Sequence, residues 1–222
     1  MSRAKRFVLS VAGLRTTAFG ILAWCLLAPG GSPVFAAAPE QNSPEVTNEV
    51  PDARQMDKIV GAVDAGLEYL VRQQRPDGSW PSFWERNTGI NGMCLLAFLG
   101  RGHVPGRGPF KKTVGRAVEF ILKSQDERGL YTSPDPSHGP MYAHALATLA
   151  MVEACGWMPD ERIHKSVRNA VKLMIKAQAT EGQHAGGWRY MPYPEDADLN
   201  VTVMQLVALR AARNARFDVP QE

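Results

Sequence analysis

Two carboxylates one residue apart, Asp196 and Asp198 in Glu195-Asp196-Ala197-Asp198-Leu199, are the residues of this chain whose spacing could do acid–base chemistry. A carboxyl that gives up a proton near neutral pH needs its pKa raised by burial or by a second carboxylate. The pair supplies part of the second condition. A structural task fits the same residues. Asp198 precedes an apolar run beginning at Leu199, and Asp is a preferred N-cap, with Asp196 favoured at the positive end of the helix dipole.

The other reactive side chains are scattered. The five histidines are His103, His138, His144, His164 and His184. His144 alone stands in a largely apolar run. With Thr202 it is a candidate for lining a cavity, against the reading of a hydrogen-bonded core histidine. No two have metal-ligand spacing and no Cys/His cluster occurs, so no metal is expected. A phosphate loop and a nucleophile elbow are also missing, and nothing implies a cofactor. Trp188-Arg189-Tyr190, with Trp80 and Trp84, offers rings for stacking on a carbohydrate or isoprenoid, or for packing at a junction.

The elements that must position these residues come from a block occurring three times. It reads GLEYLVRQQRPDGSW at 66–80, AVEFILKSQDERGLY at 117–131 and AVKLMIKAQATEGQHAGGW at 170–188. A small residue, a large apolar one three further on, then a basic residue two before a glutamine recur each time. Glycine and an aromatic close each block. Gln74, Gln125 and Gln178 are 51 and 53 residues apart, a period that marks an array of supersecondary units. Each unit predicts two helices. The first is amphipathic, with Ile59, Val63, Gly66 and Leu70, or Ile163, Val167, Ala170 and Met174, on one face. The second is apolar nearly all round: Met93–Leu99 has no polar side chain and Ala143–Val152 has only His144 and Thr148. Leu199–Leu209 admits Asn200, Thr202 and Gln205. Half-exposed helices alternating with enclosed ones imply an outer and an inner layer, because a helical pair must stack on its neighbours to bury its apolar face. The units are read as about 56–104, 105–158 and 159–222. Val104-Pro105, Met158-Pro159 and Val219-Pro220 each follow a second helix, so the expectation is an incomplete array with further units beyond Glu222.

Those blocks resemble the QW motif of the squalene–hopene cyclase and terpenoid cyclase/prenyltransferase superfamily. The resemblance implies an all-α fold, an α/α toroid whose inner helices surround a cavity, and an isoprenoid or other apolar ligand. In that superfamily the cyclases carry Asp-x-Asp-Asp, whose middle aspartate protonates the isoprenoid. Asp196 and Asp198 match its first two acids, and Leu199 stands in place of the last. The zinc-site cysteine of protein prenyltransferases and the thioester motif of complement-type toroids have no counterpart. The glutamine and aromatic of each block, Gln74/Trp80, Gln125/Tyr131 and Gln178/Trp188, are expected to be staples. A glutamine near a helix C-terminus can reach the free carbonyls there and the next turn, while the ring packs on the neighbouring unit. The functions in view are an acid-initiated isoprenoid cyclase, or a binding or scaffold protein using the cavity or concave face.

The first 38 residues read as a secretory signal, with an uncleaved anchor as the alternative. Arg3, Lys5, Arg6 and Arg15 precede an apolar run at Ala18–Ala28, and small residues at Ala36–Ala38 offer a cleavage site. The mature chain would be extracytoplasmic, with membrane-surface contact open to it, and residues 39–55 would be a flexible lead-in. Without those four basic residues the balance is 21 basic against 22 acidic, so nothing suggests a nucleic-acid surface. Cys94 and Cys155, placed about 10 Å apart along parallel helices, are expected to stay free.

Overall fold

The computed structural model describes residues 51–83, 86–134, 139–193 and 196–220. The expected signal and most of the lead-in, with Trp84, His138 and Glu195, lie outside the described residues. Among these residues there are six α-helices and no strand: α1 (Ala53–Gln73), α2 (Thr88–Gly100), α3 (Lys111–Lys123), α4 (Met141–Cys155), α5 (Glu161–Lys176) and α6 (Leu199–Asn214). The all-α class expected from periodicity is the class observed. An isolated bridge joins Gln125 to Tyr131 across the second glycine turn.

α4 packs most closely on α2 and α6, so α2, α4 and α6 form the inner layer, with α1, α3 and α5 outside. Two glycines in α2 make the inner contact possible. A Cβ on Gly89 would lie 2.8 Å from Ala143 Cα, and one on Gly92 would lie 2.8 Å from the Leu146 carbonyl. Glycine inside a helix costs about 1 kcal/mol relative to alanine. Here it allows backbone-to-backbone approach between α2 and α4.

α2 and α4 each pack more closely on the outer helix that follows than on the one that precedes. α3 therefore buries Val114, Ala117, Val118 and Ile121, and α5 buries Ile163, Val167, Ala170 and Met174. The corresponding face of α1 is apolar but open, because no described unit stands before it. Leu67 alone is buried there, and Ile59 and Val63 are 48% and 43% exposed. α1 also begins earlier than the lead-in read over 39–55 allows. Asp52 Oδ1 accepts from Gln55 N–H at 2.7 Å and Gln55 Oε1 accepts from Asp52 N–H at 2.9 Å, a capping box concealed in a polar stretch.

Both described cysteines are free. Cys155 is buried and Cys94 half-buried, where burial pushes its thiol up to about 11.

Candidate functional site

Two of the three repeated glutamines, Gln74 and Gln125, join successive units through backbone carbonyls. Gln74 Nε2 donates to Gly78 O (3.1 Å) at its own turn and to Thr113 O (2.9 Å) in the first turn of α3. Gln125 Nε2 does the same with Gly129 O (3.0 Å) and Ser166 O (2.8 Å) of α5. Gln178 Nε2 reaches Gly186 O at 3.0 Å. The aromatics are sunk in the core: Trp80 and Trp188 donate through Nε1 to Leu70 O (2.8 Å) and Met174 O (2.7 Å), and the Tyr131 hydroxyl meets Ser166 Oγ at 2.7 Å.

A third member of each junction was not legible as part of the block. The backbone N–H of each closing aromatic donates to a polar side chain in the first turn of the next inner helix. Trp80 N–H meets Asn91 Oδ1 (3.0 Å), Tyr131 N–H meets His144 Nδ1 (3.1 Å) and Trp188 N–H meets Thr202 Oγ1 (3.0 Å). Asn91, His144 and Thr202 are chemically unlike, so sequence comparison hides their equivalence. Their shared property is an acceptor at one register position. The two cavity candidates, His144 and Thr202, are thereby placed at the junctions.

His144 is fully buried between α4 and the second turn. With Tyr131 N–H at Nδ1, its proton sits on Nε2, 3.4 Å from Ala170 O. Burial pushes the imidazole down to about 4, so it is neutral at physiological pH.

The acid pair lies in the open. Asp198 is the N-cap of α6, its Oδ1 accepting from Val201 N–H at 3.0 Å. Asn87 fills the same place at α2, accepting from Ile90 N–H at 3.0 Å, and Pro140 fills it at α4. The Val201 N–H, more than any other group, holds the Asp198 carboxyl below the usual range, assisted by the Tyr190 hydroxyl and the Arg189 charge. Asp196 pairs with Arg189 Nη1 at 3.0 Å, with both side chains well exposed. The two carboxylates therefore face cationic or N–H partners. For Asp198 these partners outweigh the burial that would favour its protonated form.

The inner helices leave several large apolar side chains open. Met93 on α2 and Tyr142 on α4 are exposed, as are Leu199, Val203, Leu206 and Val207 on α6. Between α2 and α4 lies a cleft of about 470 Å³, lined by Ile90, Met93, Tyr142, Ala143, Leu146 and Tyr190, with Asn87, Thr88, Tyr131 and Ser133 among its polar residues. The Thr88 N–H is held by Ser133 Oγ at 3.1 Å, while Thr88 Oγ1 is buried with no hydrogen-bond partner among the described residues. Tyr190 connects cleft and acid, its hydroxyl donating to Asp198 Oδ2 at 3.3 Å. Sequence reading singled out Tyr190 for its ring but passed over Met93, Tyr142 and Leu146. A helix apolar on every side gives no contrast to mark which of its faces is open. No group of His, Cys, Asp and Glu among the described residues is placed to hold a metal ion.

The chain is similar to a lanosterol synthase of Aspergillus fumigatus, 29% identical over an alignment of 151 residues that covers 60% of this chain and 18% of that protein. It is also similar to a drimenyl diphosphate synthase of Streptomyces showdoensis, 26% identical over 132 residues, 59% of this chain and 23% of that protein. It thus spans less than a quarter of the length of either relative. No family model matches it. Over the aligned part its sequence is terpenoid-cyclase-like.

Proposed function

We propose that this chain binds an apolar isoprenoid in the cleft between α2 and α4, as part of a terpenoid-cyclase-like α/α toroid, and that Asp198 does not supply a proton there. The observation that carries this reading is the pairing of an open apolar cleft with an ionised, N-capping Asp198 at its rim. Ligand pockets are mostly apolar with a few placed polar groups, and the Thr88 hydroxyl and the Tyr190 phenol fit that description. If the expected signal directs the chain out of the cytoplasm, a lipid-like isoprenoid arriving through the membrane suits it better than a prenyl diphosphate made inside the cell.

A second reading keeps Asp198 as the acid of an isoprenoid cyclase, with Asp196 assisting. Tyr190 favours it, because that residue lines the cleft and bonds Asp198, leaving the carboxyl one hydrogen bond from a bound ligand. The alternative of a scaffold without a ligand leaves the cleft without a task.

Incubation with squalene separates these readings. We expect saturable binding that is weakened at least tenfold by Leu146→Asp and unchanged by Asp198→Asn, with no cyclised product. Cyclised product from wild type that disappears in Asp198→Asn would establish the acid instead. Absence of any binding to wild type would remove the isoprenoid from the account.

A further inference from the structure

Among the described residues, the buried side-chain atoms Thr88 Oγ1, Thr148 Oγ1 and Gln205 Oε1 have no hydrogen-bond partner. A polar group stranded in this way costs stability unless something outside the fold satisfies it. Thr88 differs from the other two in lining the cleft between α2 and α4. Its place in the repeat makes the hydroxyl harder still to account for. Thr88 is the first residue of α2, where α4 begins with Met141 and α6 with Leu199. Met141 is fully buried, so an apolar side chain serves the fold at this position and a hydroxyl adds nothing to it. Such departures from a local pattern are expected at functional sites.

The groups around Thr88 leave donors over. The Ser133 hydroxyl accepts the Thr88 N–H at 3.1 Å, and its own proton has no acceptor among the described residues. Asn87 gives its Oδ1 to the Ile90 N–H at 3.0 Å, which leaves its amide N–H groups. The Tyr131 hydroxyl is already engaged by Ser166, and the Tyr190 hydroxyl by Asp198. Thr88, Ser133 and Asn87 thus offer protons and lack an oxygen to receive them. The described lining residues include no Lys, Arg or His, and the ionised Asp198 carboxylate stands at the rim behind Tyr190. A phosphate or carboxylate would find no counter-charge here.

On the isoprenoid reading of the cleft, we propose that its ligand carries one neutral oxygen function, an alcohol or a carbonyl, whose oxygen accepts from the Thr88 and Ser133 hydroxyls. The hydrocarbon chain lies along Met93, Tyr142 and Leu146. Thr88 is fully buried, Asn87 and Ser133 are half-buried, and Met93 and Tyr142 are exposed. The oxygen therefore enters ahead of the chain, and the hydrocarbon trails toward the open side. Thr88 becomes a specificity residue. A ligand without the oxygen leaves its hydroxyl unpaired, and a charged ligand gives up its hydration without a counter-ion. Leaving a buried polar group unpaired is the strongest means a site has of rejecting a near-isostere.

The test compares probes of one chain length on the full chain by equilibrium dialysis: farnesol, its hydrocarbon counterpart farnesene, and farnesyl diphosphate, with squalene as a common reference. Wild type is expected to bind farnesol about tenfold or more tighter than farnesene, and tighter than the diphosphate. Thr88→Val keeps the shape and removes the hydroxyl. It is expected to abolish the preference for farnesol and to leave the farnesene affinity unchanged, whereas Thr88→Ser retains the preference. Leu146→Asp is expected to weaken both, which places the binding in this cleft. Ligand-free Thr88→Val is expected to melt at or above the wild-type temperature, because the hydroxyl it loses has no partner in the fold. A lower melting temperature would reveal a structural bond and overturn the proposal. Equal affinities for farnesol and farnesene overturn it while leaving the isoprenoid reading in place, as does a preference that survives Thr88→Val. Tightest binding of the diphosphate overturns it too. If no probe binds, squalene included, the isoprenoid reading falls and the proposal with it.

Discussion

His144 and Asp198 sit at the same end of equivalent inner helices, and both are displaced from their ordinary titration ranges, for opposite reasons. Burial keeps His144 uncharged, while the Val201 N–H and neighbouring donors keep Asp198 charged. In the free protein neither shift moves its group toward neutral pH. The contrast teaches that a polar residue in a repeat array is held by whatever the repeat supplies at its position. At the fourth position of the inner helix that is the N–H of a closing aromatic, and at the N-cap it is the helix's own first N–H groups. The apolar cleft, lined in part by the junction residue Tyr131, is where the proposed ligand would sit.

Removing a buried ring strikes the junction side of this comparison hardest. Trp188 is 1% exposed and its Nε1–H is held by Met174 O at 2.7 Å. Trp188→Ala is expected to destabilise the chain by about 3–5 kcal/mol, the usual range for deleting a large core aromatic. Urea unfolding measures it. A loss below about 1 kcal/mol, the scale of surface substitutions, would show that the third junction is no part of the core.

Titration tests the two residues against each other. The folded pKa of His144, about 4, lies below the ordinary histidine value of 6.5, so between those values the unfolded chain binds the proton and the folded chain resists it. Stability from this group is complete above pH 6.5 and is lost as pH falls toward 4. The loss over that window is about 3 kcal/mol, at 1.36 kcal/mol per pH unit. Asp198 runs the other way in mechanism but not in sign. Its depressed pKa contributes stability above the ordinary carboxylate range, lost only at more acid pH. His144→Asn, which puts at α4 the acceptor that α2 already has in Asn91, should flatten the curve between pH 6.5 and 4. A curve of wild-type slope in that variant would mean that other groups govern the acid limb.

Much of this was legible in the chain and some was not, for reasons that differ by residue. Gln74, Gln125 and Gln178 were readable as staples because the same side chain recurs at the same distance from a glycine turn. The inner acceptors were not, since Asn91, His144 and Thr202 share a hydrogen-bond role and no composition. Asp198 was readable both as cap and as acid, and only the position of the Val201 N–H shows what the carboxylate does in the fold. The open faces of α1 and α6 follow from the neighbours a helix has, a property that periodicity does not carry. Apolar spacing makes Ile59 and Ile163 equivalent, and tertiary context buries one and exposes the other.

The smallest expected effect discriminates most finely between a junction that is closed and one that faces solvent. Gln125→Ala removes two bonds at once and leaves the Gly129 and Ser166 carbonyls, both on buried residues, without their donor. The expected cost is about 1–3 kcal/mol, the range for stranding buried polar groups. Gln178→Ala removes one bond, to a glycine carbonyl that water can reach, and is expected to cost about 0.5–1 kcal/mol in dilute solution. The difference between the two variants, measured by thermal unfolding, reports the inter-unit bond that Gln125 makes and Gln178 lacks among the described residues. Equal losses would mean that this bond adds nothing to stability.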